Sequence, residues 1–457
     1  MKVLKFGGTS VGSAESLRNV NAIVDSYPQP VIIVVSALGG ITDKLIATAR
    51  TAAKGNSEYK ELYGQIVERH HDIISRVVPQ DKKAQVLGAV NTLLGELGDL
   101  YRGLDLIRDL SQRTLDVIVS YGERMSSLIV TSMIKGAWRY DSREFIKTIS
   151  RNGSHVVDNQ LTEKLVRRTL GPRDFNVAVV PGFISTDDEG HITNLGRGGS
   201  DYTAAIIAAA LDAEILEIWT DVDGFLTADP RIVKGTKVID RLSFTQAIEL
   251  CNFGAKVVYP PTIFPVYHKN IPILIKNTFN PEAPGSSICE KAESDGKQRF
   301  TGVSSISDTC LITVSGLSSA SRGGVNARIF NTLSRNGVSL LLISQDTADD
   351  SATSFVVKEN ECEQAMKVLR EEFVGDFNRG HMAEVSALHH LATIAVVGEN
   401  LHRSQTPAVT SLFEALDNED LRVDAISAGN SESTISFTVE QRRLTDALDA
   451  VHAQLFC

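Results

Sequence analysis

Four short clusters in this chain set glycines beside charged or hydroxylic side chains. The first is Lys5-Phe6-Gly7-Gly8-Thr9-Ser10, directly after the apolar Val3-Leu4. Glycine has no Cβ, so backbone N–H groups in such a turn can approach a phosphate closely. A helix opening just beyond adds the positive end of its dipole, and Ser13 suits the cap of a helix running to about Asp25. On these residues alone, a phosphate cradle and a plain strand-to-helix turn with a surface lysine are equally supported. The second cluster, Gly196-Arg197-Gly198-Gly199-Ser200-Asp201, opens a small-residue helix over 203–210. It offers donors at a helix start and an arginine able to grip a carboxylate with two parallel bonds. A flexible glycine-rich hairpin is the plainer alternative. The third is Trp219-Thr220-Asp221-Val222-Asp223-Gly224 with Asp229-Pro230-Arg231, which by itself reads as acidic turn chemistry. The fourth, Phe253-Gly254-Ala255-Lys256, carries nothing alone. The chain lacks both G-x-x-x-x-G-K-[ST] and a clean G-x-G-x-x-G, which excludes a P-loop and argues against a dinucleotide fold.

Strands alternating with helices must hold these clusters. Residues 3–6, 31–35, 177–180 and 215–220 read as strands, the second a β-branched run of the kind buried on both faces. Residues 43–136 are mostly helical in pattern. The expectation is an α/β domain with a largely parallel sheet. The segment 277–297, with Pro281, Pro284, Gly285 and a charged stretch, reads as the end of that domain and a linker. Beyond it a pattern of strand, helix, two strands and helix over 311–372 returns over 392–455, which predicts two βαββαβ-like units.

At 457 residues, 42% hydrophobic and 22% charged, the chain has room for two to four domains. A net charge of −10 argues against nucleic acid as partner. The longest apolar run, about 204–210, is too short to span a bilayer, so no membrane association is expected. The chain enters a strand pattern at Lys2, leaving no signal peptide, and a cytoplasmic location follows. The five cysteines, Cys251, Cys289, Cys310, Cys362 and Cys457, form no C-x-x-C pair and are expected as free thiols. His70-His71 and His389-His390 sit among polar neighbours and are expected as solvated features. No protein metal site is expected.

Taken together, the motifs resemble the aspartokinase family of the amino-acid kinase superfamily, over essentially the whole chain. The resemblance rests on KFGGTSV at 5–11, SA-x-x-x-IT at 36–42, YGERMS at 121–126, LGRGGSDYTAA at 195–205, WTDVDG with DPR at 219–231, and FGAKV at 253–257. The terminal repeat is similar to tandem ACT domains. The implied fold is a three-layer αβα sandwich over 1–295, then ACT-like units over 296–380 and 381–457, the last contributing a part that completes the first. The implied reaction moves the γ-phosphoryl group of ATP, with Mg²⁺, onto the side-chain carboxylate of L-aspartate, the first step toward lysine, threonine and methionine.

Carried over residue by residue, Lys5 would contact the transferring phosphoryl group, with Gly7 and Gly8 near the phosphates. Ser36 and Thr42 would lie at the reacting end of the substrate, with Ser200 and Asp201 completing the site. Glu123 would bind the α-ammonium group and Arg197 the α-carboxylate. Thr220, Asp221, Arg231 and Lys256 would line the nucleotide site, and Leu226 stands where relatives often have an aromatic residue. A carboxylate nucleophile, ionised at neutral pH with a reference pKa of about 4, needs no general base. In ACT domains an effector, here threonine or lysine, binds where a loop after the first strand meets a helix start. That implicates Ser315, Asn336, Val338, Ser344 and Gln345. Ser344-Gln345 looks more like threonine-sensitive relatives, whereas the chain ends near where single-function lysine-sensitive ones end. Pairing of these units about a two-fold axis would give a dimer or a dimer of dimers.

Two other classes remain open at this level. A superfamily relative acting on glutamate would use Glu123 and Arg197 equally well. A non-catalytic amino-acid sensor would have lost Lys5, Arg197, Asp201 or Lys256, and all are present.

Overall fold

Val31–Val35 is an unbroken run of β-branched residues, and every one of them is fully buried. Such a run is stable only in a sheet covered on both faces. The computed structural model describes residues 1–28, 30–151, 154–172, 174–290, 299–316, 322–345, 352–378, 382–399, 401, 405–428 and 433–456. The chain forms two compact units, Met1–Phe225 with Val257–Glu290, and Leu226–Lys256 with Lys291–Cys457. Among the described residues no helix is long and apolar enough to cross a membrane.

The first unit holds strands β1 (Lys2–Phe6), β2 (Val31–Val35), β3 (Ala137–Arg139), β4 (Val177–Pro181), β5 (Ile215–Thr220), β6 (Ile273–Asn277) and β7 (Ser286–Cys289). They lie in the order β7-β6-β5-β1-β2-β4-β3. All neighbours are parallel except β7, which runs antiparallel to β6. Helices α1 (Ala14–Asp25), α2 (Ile41–Ala53), α3 (Tyr59–Val77), α4 (Gln80–Ile107) and α5 (Gln112–Met133) share one core with Leu4, Phe6, Ile33 and Val35. Val3, Ile32 and Val34 point to the opposite face and are equally buried, and α6 (Gly199–Ala210) packs on β1 and β2 there. This is the layered α/β architecture expected. The segment read as a linker differs in its first part: Ser286–Cys289 joins the sheet as a strand antiparallel to β6. Gly285, at φ 81°, makes the turn into it, where a Cβ would strike the Ile275 carbonyl. The charged part, 291–297, lies outside the described residues.

In the second unit the strands are β8 (Arg299–Gly316), β9 (Leu342–Gln345), β10 (Ala352–Lys358), β11 (Met382–Glu399), β12 (Ala425–Ser427) and β13 (Thr434–Glu440). Their order is β9-β10-β8-β11-β13-β12, antiparallel throughout. The helices are α7 (Arg322–Arg335), α8 (Glu359–Asn378), α9 (Gln405–Asn418) and α10 (Leu444–Phe456). The two long strands β8 and β11 run side by side through both repeats and break register between Ile306 and Leu311. Asp308 and His390 take positive φ at this break, the signature of a bulge that redirects a strand. Each repeat keeps its own core, one around Ile312, Phe355 and Phe373 and one around Ile394, Phe437 and Val451.

Two sequence-level expectations fail here. His70 is not solvated: it is fully buried in α3, its Nδ1 bonded to the Ile66 carbonyl, and burial pushes its pKa down to about 4. Cys310 and Cys362 are not free thiols: they are joined as a disulfide, with Cα atoms 6.3 Å apart. They stand 52 residues apart in sequence and meet only because α8 packs on β8, which no spacing rule could show.

Helix α5 passes so close to the loop after β2 that a Cβ on Gly122 would lie 2.7 Å from the Ala37 Cβ. Helix propensity alone gives alanine an advantage of about 1 kcal/mol over glycine in a helix interior. The contact reverses the sign here. Gly122→Ala is expected to lower the thermal unfolding midpoint; a raised midpoint would show that α5 and the loop are not in contact.

Candidate active site

Parallel sheets place their ligand sites at the C-terminal ends of the strands. Lys5 sits near that end of β1, paired with Val34 of β2 and Ile218 of β5. The chain then turns at once: the Gly7 N–H donates to the Trp219 carbonyl (3.1 Å) and the Ser10 hydroxyl to the same oxygen (3.2 Å). Ser13 caps α1 in a reciprocal box with Ser16. This first loop lies backbone to backbone against the loop after β2. A Cβ on Gly12 would come 2.9 Å from the Gly8 carbonyl, and one on Gly39 would come 3.0 Å from it. The glycines are therefore needed for close approach of two loops.

Opposite them, Gly198 caps α6 at φ 67°, and a Cβ there would strike the Tyr259 ring. The turn delivers Ser200 and Asp201 in the first helical turn, where negative charge is favoured. Asp201 Oδ1 meets Lys5 Nζ at 2.6 Å, with both side chains largely buried. Two segments about 200 residues apart thus meet in one ion pair.

The facing wall is α5. Glu123 is buried and its carboxylate accepts the Ala37 N–H, but its Oε2 has no partner. Burial raises its pKa to about 8, partly offset by that bond and by one from its own backbone N–H. The Ser126 hydroxyl donates to the Ser36 carbonyl (2.7 Å), tying the loop to the same helix. One helical repeat back, Asp116 accepts the side-chain amides of Gln112 (2.7 Å) and Asn194 (2.8 Å), and burial raises its pKa too.

These groups surround a cavity of about 620 Å³. Of the residues singled out from sequence, Lys5, Gly8, Ser36, Thr42, Glu123, Arg197, Ser200 and Asp201 line it. Arg197 is exposed at its rim. Gly7 adjoins it, since a Cβ there would lie 3.3 Å from Lys5 Nζ. Thr220 and Asp221 continue β5 past Trp219, beside the Gly7 turn, with the Thr220 hydroxyl donating to Asp221 (3.2 Å). Arg231 and Lys256 fall in the second unit and do not line the cavity. Arg231 is exposed and doubly bonded to Asp229, whose carboxyl it holds below the usual range. Leu226, also in that unit, forms a bridge with Val238. Sequence reading missed Asp116, Asn194 and Gln112. Helical spacing was the available signal, because positions 116, 119 and 123 share one face of α5 and all three line the cavity.

The effector candidates spread along the first repeat. Ser315 and Gln345 lie near one end of the sheet, paired with Ala352 and Thr353, and Ser344 follows in register with Ser354. Val338 is core. The Asn336 carbonyl accepts Gln364 of α8, beyond the other end of β10.

Glu123 yields a pH prediction. Its pKa is about 8 in the folded chain against an ordinary 4.5, so the folded chain keeps a proton that the unfolded chain loses. The stability from this group is full below pH about 4.5 and gone above about 8. Glu123→Gln does not titrate, so its thermal midpoint should gain on the natural chain from pH 5 to 8 and then level. A difference independent of pH would show that Glu123 ionises normally.

The family model described as amino acid kinase family matches residues 1–277, and an ACT domain model matches 312–373 and 394–455. The chain is 31% identical to bifunctional aspartokinase/homoserine dehydrogenase 2, chloroplastic, of Arabidopsis thaliana, covering 99% of this chain and 50% of that protein. It is 32% identical to the bifunctional aspartokinase/homoserine dehydrogenase of Haemophilus influenzae, covering 100% of this chain and 56% of that one. The chain thus spans about half the length of these curated relatives. It is 29% identical to lysine-sensitive aspartokinase 3 of Escherichia coli, over 99% of both. Among solved structures, E. coli aspartokinase III in complex with aspartate and ADP superposes with a TM-score of 0.85 at 29% identity, covering 100% of each chain. The same enzyme with lysine and aspartate gives 0.77 at 28%, again over 100% of each. On these grounds the chain belongs to the amino acid kinase family, among the aspartokinases that carry C-terminal ACT domains.

Proposed function

We propose that this chain is an aspartate kinase, converting Mg–ATP and L-aspartate to ADP and 4-phospho-L-aspartate at the first step of lysine, threonine and methionine synthesis. The observation that carries it is the unpartnered, buried Glu123 Oε2 in a cavity that also holds Arg197 and the Lys5–Asp201 pair. A buried carboxylate whose pKa is raised to about 8 calls for a cation. The α-ammonium of an amino acid supplies one, and Arg197 at the rim grips the α-carboxylate. The side-chain carboxylate then points toward Lys5, Ser36, Thr42 and Ser200. One of its oxygens attacks the γ-phosphorus, and the bond from that phosphorus to the β–γ bridging oxygen breaks. The nucleophile arrives ionised, so no residue removes a proton. Lys5 neutralises charge between two anions, and Asp201 fixes where its ammonium group sits. Gly7 and Gly8 give the phosphates a close backbone approach, with Thr220, Asp221, Arg231 and Lys256 assigned to the nucleotide. Magnesium, held by the ATP phosphates, would supply neutralisation of their charge. Three of the four cavity carboxylates, Asp116, Glu123 and Asp201, are committed otherwise and only the exposed Asp43 is left, which suits a metal held mainly by phosphates and water.

Residues 1–295 form the catalytic part in this reading, with regulatory units over 296–380 and 381–457, the latter helping to complete the former. Threonine or lysine is the feedback inhibitor, acting near Ser315, Asn336, Val338, Ser344 and Gln345. The crystallised E. coli relative was obtained with lysine, which supports an amino-acid effector. The chain works in the cytoplasm as a dimer or dimer of dimers joined through its ACT-like units.

ADP release with Mg–ATP should depend on L-aspartate and fall on adding threonine or lysine. Lys5→Met should lower kcat by about 10²–10³. Arg197→Ala should raise KM for aspartate roughly tenfold or more, each tenfold being about 1.4 kcal/mol. Preference for L-glutamate, or turnover indifferent to both variants, would overturn the reading.

A further inference from the structure

Cys310 of β8, Cys362 of α8 and His389 of β11 take no part in phosphoryl transfer, yet three separate elements bring them together. Each offers one ligand atom, and these atoms all lie within 4.8 Å of one another. The cysteines are buried at 0% and 1% exposure, while the His389 side chain is 45% exposed. We propose that in its dithiol form this cluster binds one thiophilic divalent cation of the zinc class, with Cys310 and Cys362 as thiolates and His389 as imidazole.

The donor set is the first argument. Two sulfurs and one imidazole suit zinc far better than magnesium or calcium, which prefer oxygen. The second is the support around the histidine. His389 Nδ1 is bonded to Glu359 Oε1 at 2.5 Å, and the other oxygen of that carboxylate accepts the His390 N–H at 3.3 Å. A carboxylate on Nδ1 fixes the ring and leaves Nε2 for a metal, the usual arrangement behind a ligating histidine. Access is the third. A cavity of about 500 Å³ is lined by Cys362 and His389, so an ion can enter and water can complete a four-coordinate shell. Lys367 and Arg370 on that cavity are matched by Glu363 and Glu371, so entry of a cation meets no net positive wall.

The disulfide is the oxidised form of the same pair. A phosphine reductant supplies the two electrons that open it, water supplies the two protons, and the phosphine leaves as its oxide: R₃P + RSSR + H₂O → R₃PO + 2 RSH. The metal then displaces both thiol protons: M²⁺ + 2 RSH → M(SR)₂ + 2 H⁺. Disulfide and metal are mutually exclusive. Each ties β8 to α8, and the metal adds β11.

The test uses the full chain, reduced with a phosphine under argon and titrated with cobalt(II) as a spectroscopic stand-in for zinc. The proposal expects one cobalt per chain, a thiolate-to-cobalt charge-transfer band, and its loss on adding zinc. Cys362→Ser should abolish the band. His389→Gln, at an exposed position that leaves the fold intact by circular dichroism, should weaken binding about tenfold or more. Glu359→Gln should weaken it roughly tenfold as a positioning residue. No thiolate band under excess cobalt, a band that survives Cys362→Ser, or unchanged affinity in His389→Gln would each overturn the proposal.

Discussion

A carboxylate buried without a counter-cation is unfavourable, and Glu123 is held in that state by everything around it. Helix α5 cannot turn it outward, because its neighbours Tyr121, Met125 and Ile129 belong to the main core. The loop after β2 cannot retreat, because Ser126 holds the Ser36 carbonyl and Gly122 leaves no gap to Ala37. The backbone N–H groups of Ala37 and of Glu123 itself offset only part of the burial. A site of this kind is prepared for a positive group the chain does not itself supply. That is what distinguishes Glu123 from Asp201, whose carboxylate already faces a cation, Lys5 Nζ, at 2.6 Å.

The sheet explains why these groups meet. β1 lies between β2 and β5, so the loops that leave all three strands emerge at one edge. The end of β1 brings Lys5, the loop after β2 brings Ser36, the start of α2 brings Thr42, and α6, packed on β1 and β2, brings Ser200 and Asp201. Glycines at 8, 12 and 39 permit this crowding where a Cβ would press on backbone. The second unit obeys a different rule. Its antiparallel sheet depends on two strands long enough to serve both repeats, with bulges at Asp308 and His390 letting each half wrap its own core.

What the sequence made legible was local. The strand runs, the glycine turns and the repeat carried their own signals, and Lys5, Arg197 and Asp201 lay in clusters whose types already suited charge neutralisation, while Glu123 came only with the family resemblance. What it hid was set by distant packing. The partnership of Lys5 with Asp201, the orphaned oxygen of Glu123, the burial of His70 and the meeting of Cys310 with Cys362 all arise between segments far apart or from the depth of a helix. Asp116 was within reach of helical periodicity, since positions 116, 119 and 123 share one face of α5. The strand Ser286–Cys289 was concealed by the prolines and glycine before it, which read as a linker.

The central claim is that Glu123 waits for the ammonium group of aspartate, and proton release on binding tests it most directly. Isothermal titration of L-aspartate near pH 7.5, in buffers of different ionisation enthalpy, counts the protons exchanged. The free site is largely protonated there, with a pKa of about 8, and an ammonium partner would ionise it. The account predicts release of a substantial fraction of a proton per aspartate bound, lost in Glu123→Gln. Binding of aspartate with no proton release, or with the same release in the variant, would contradict it.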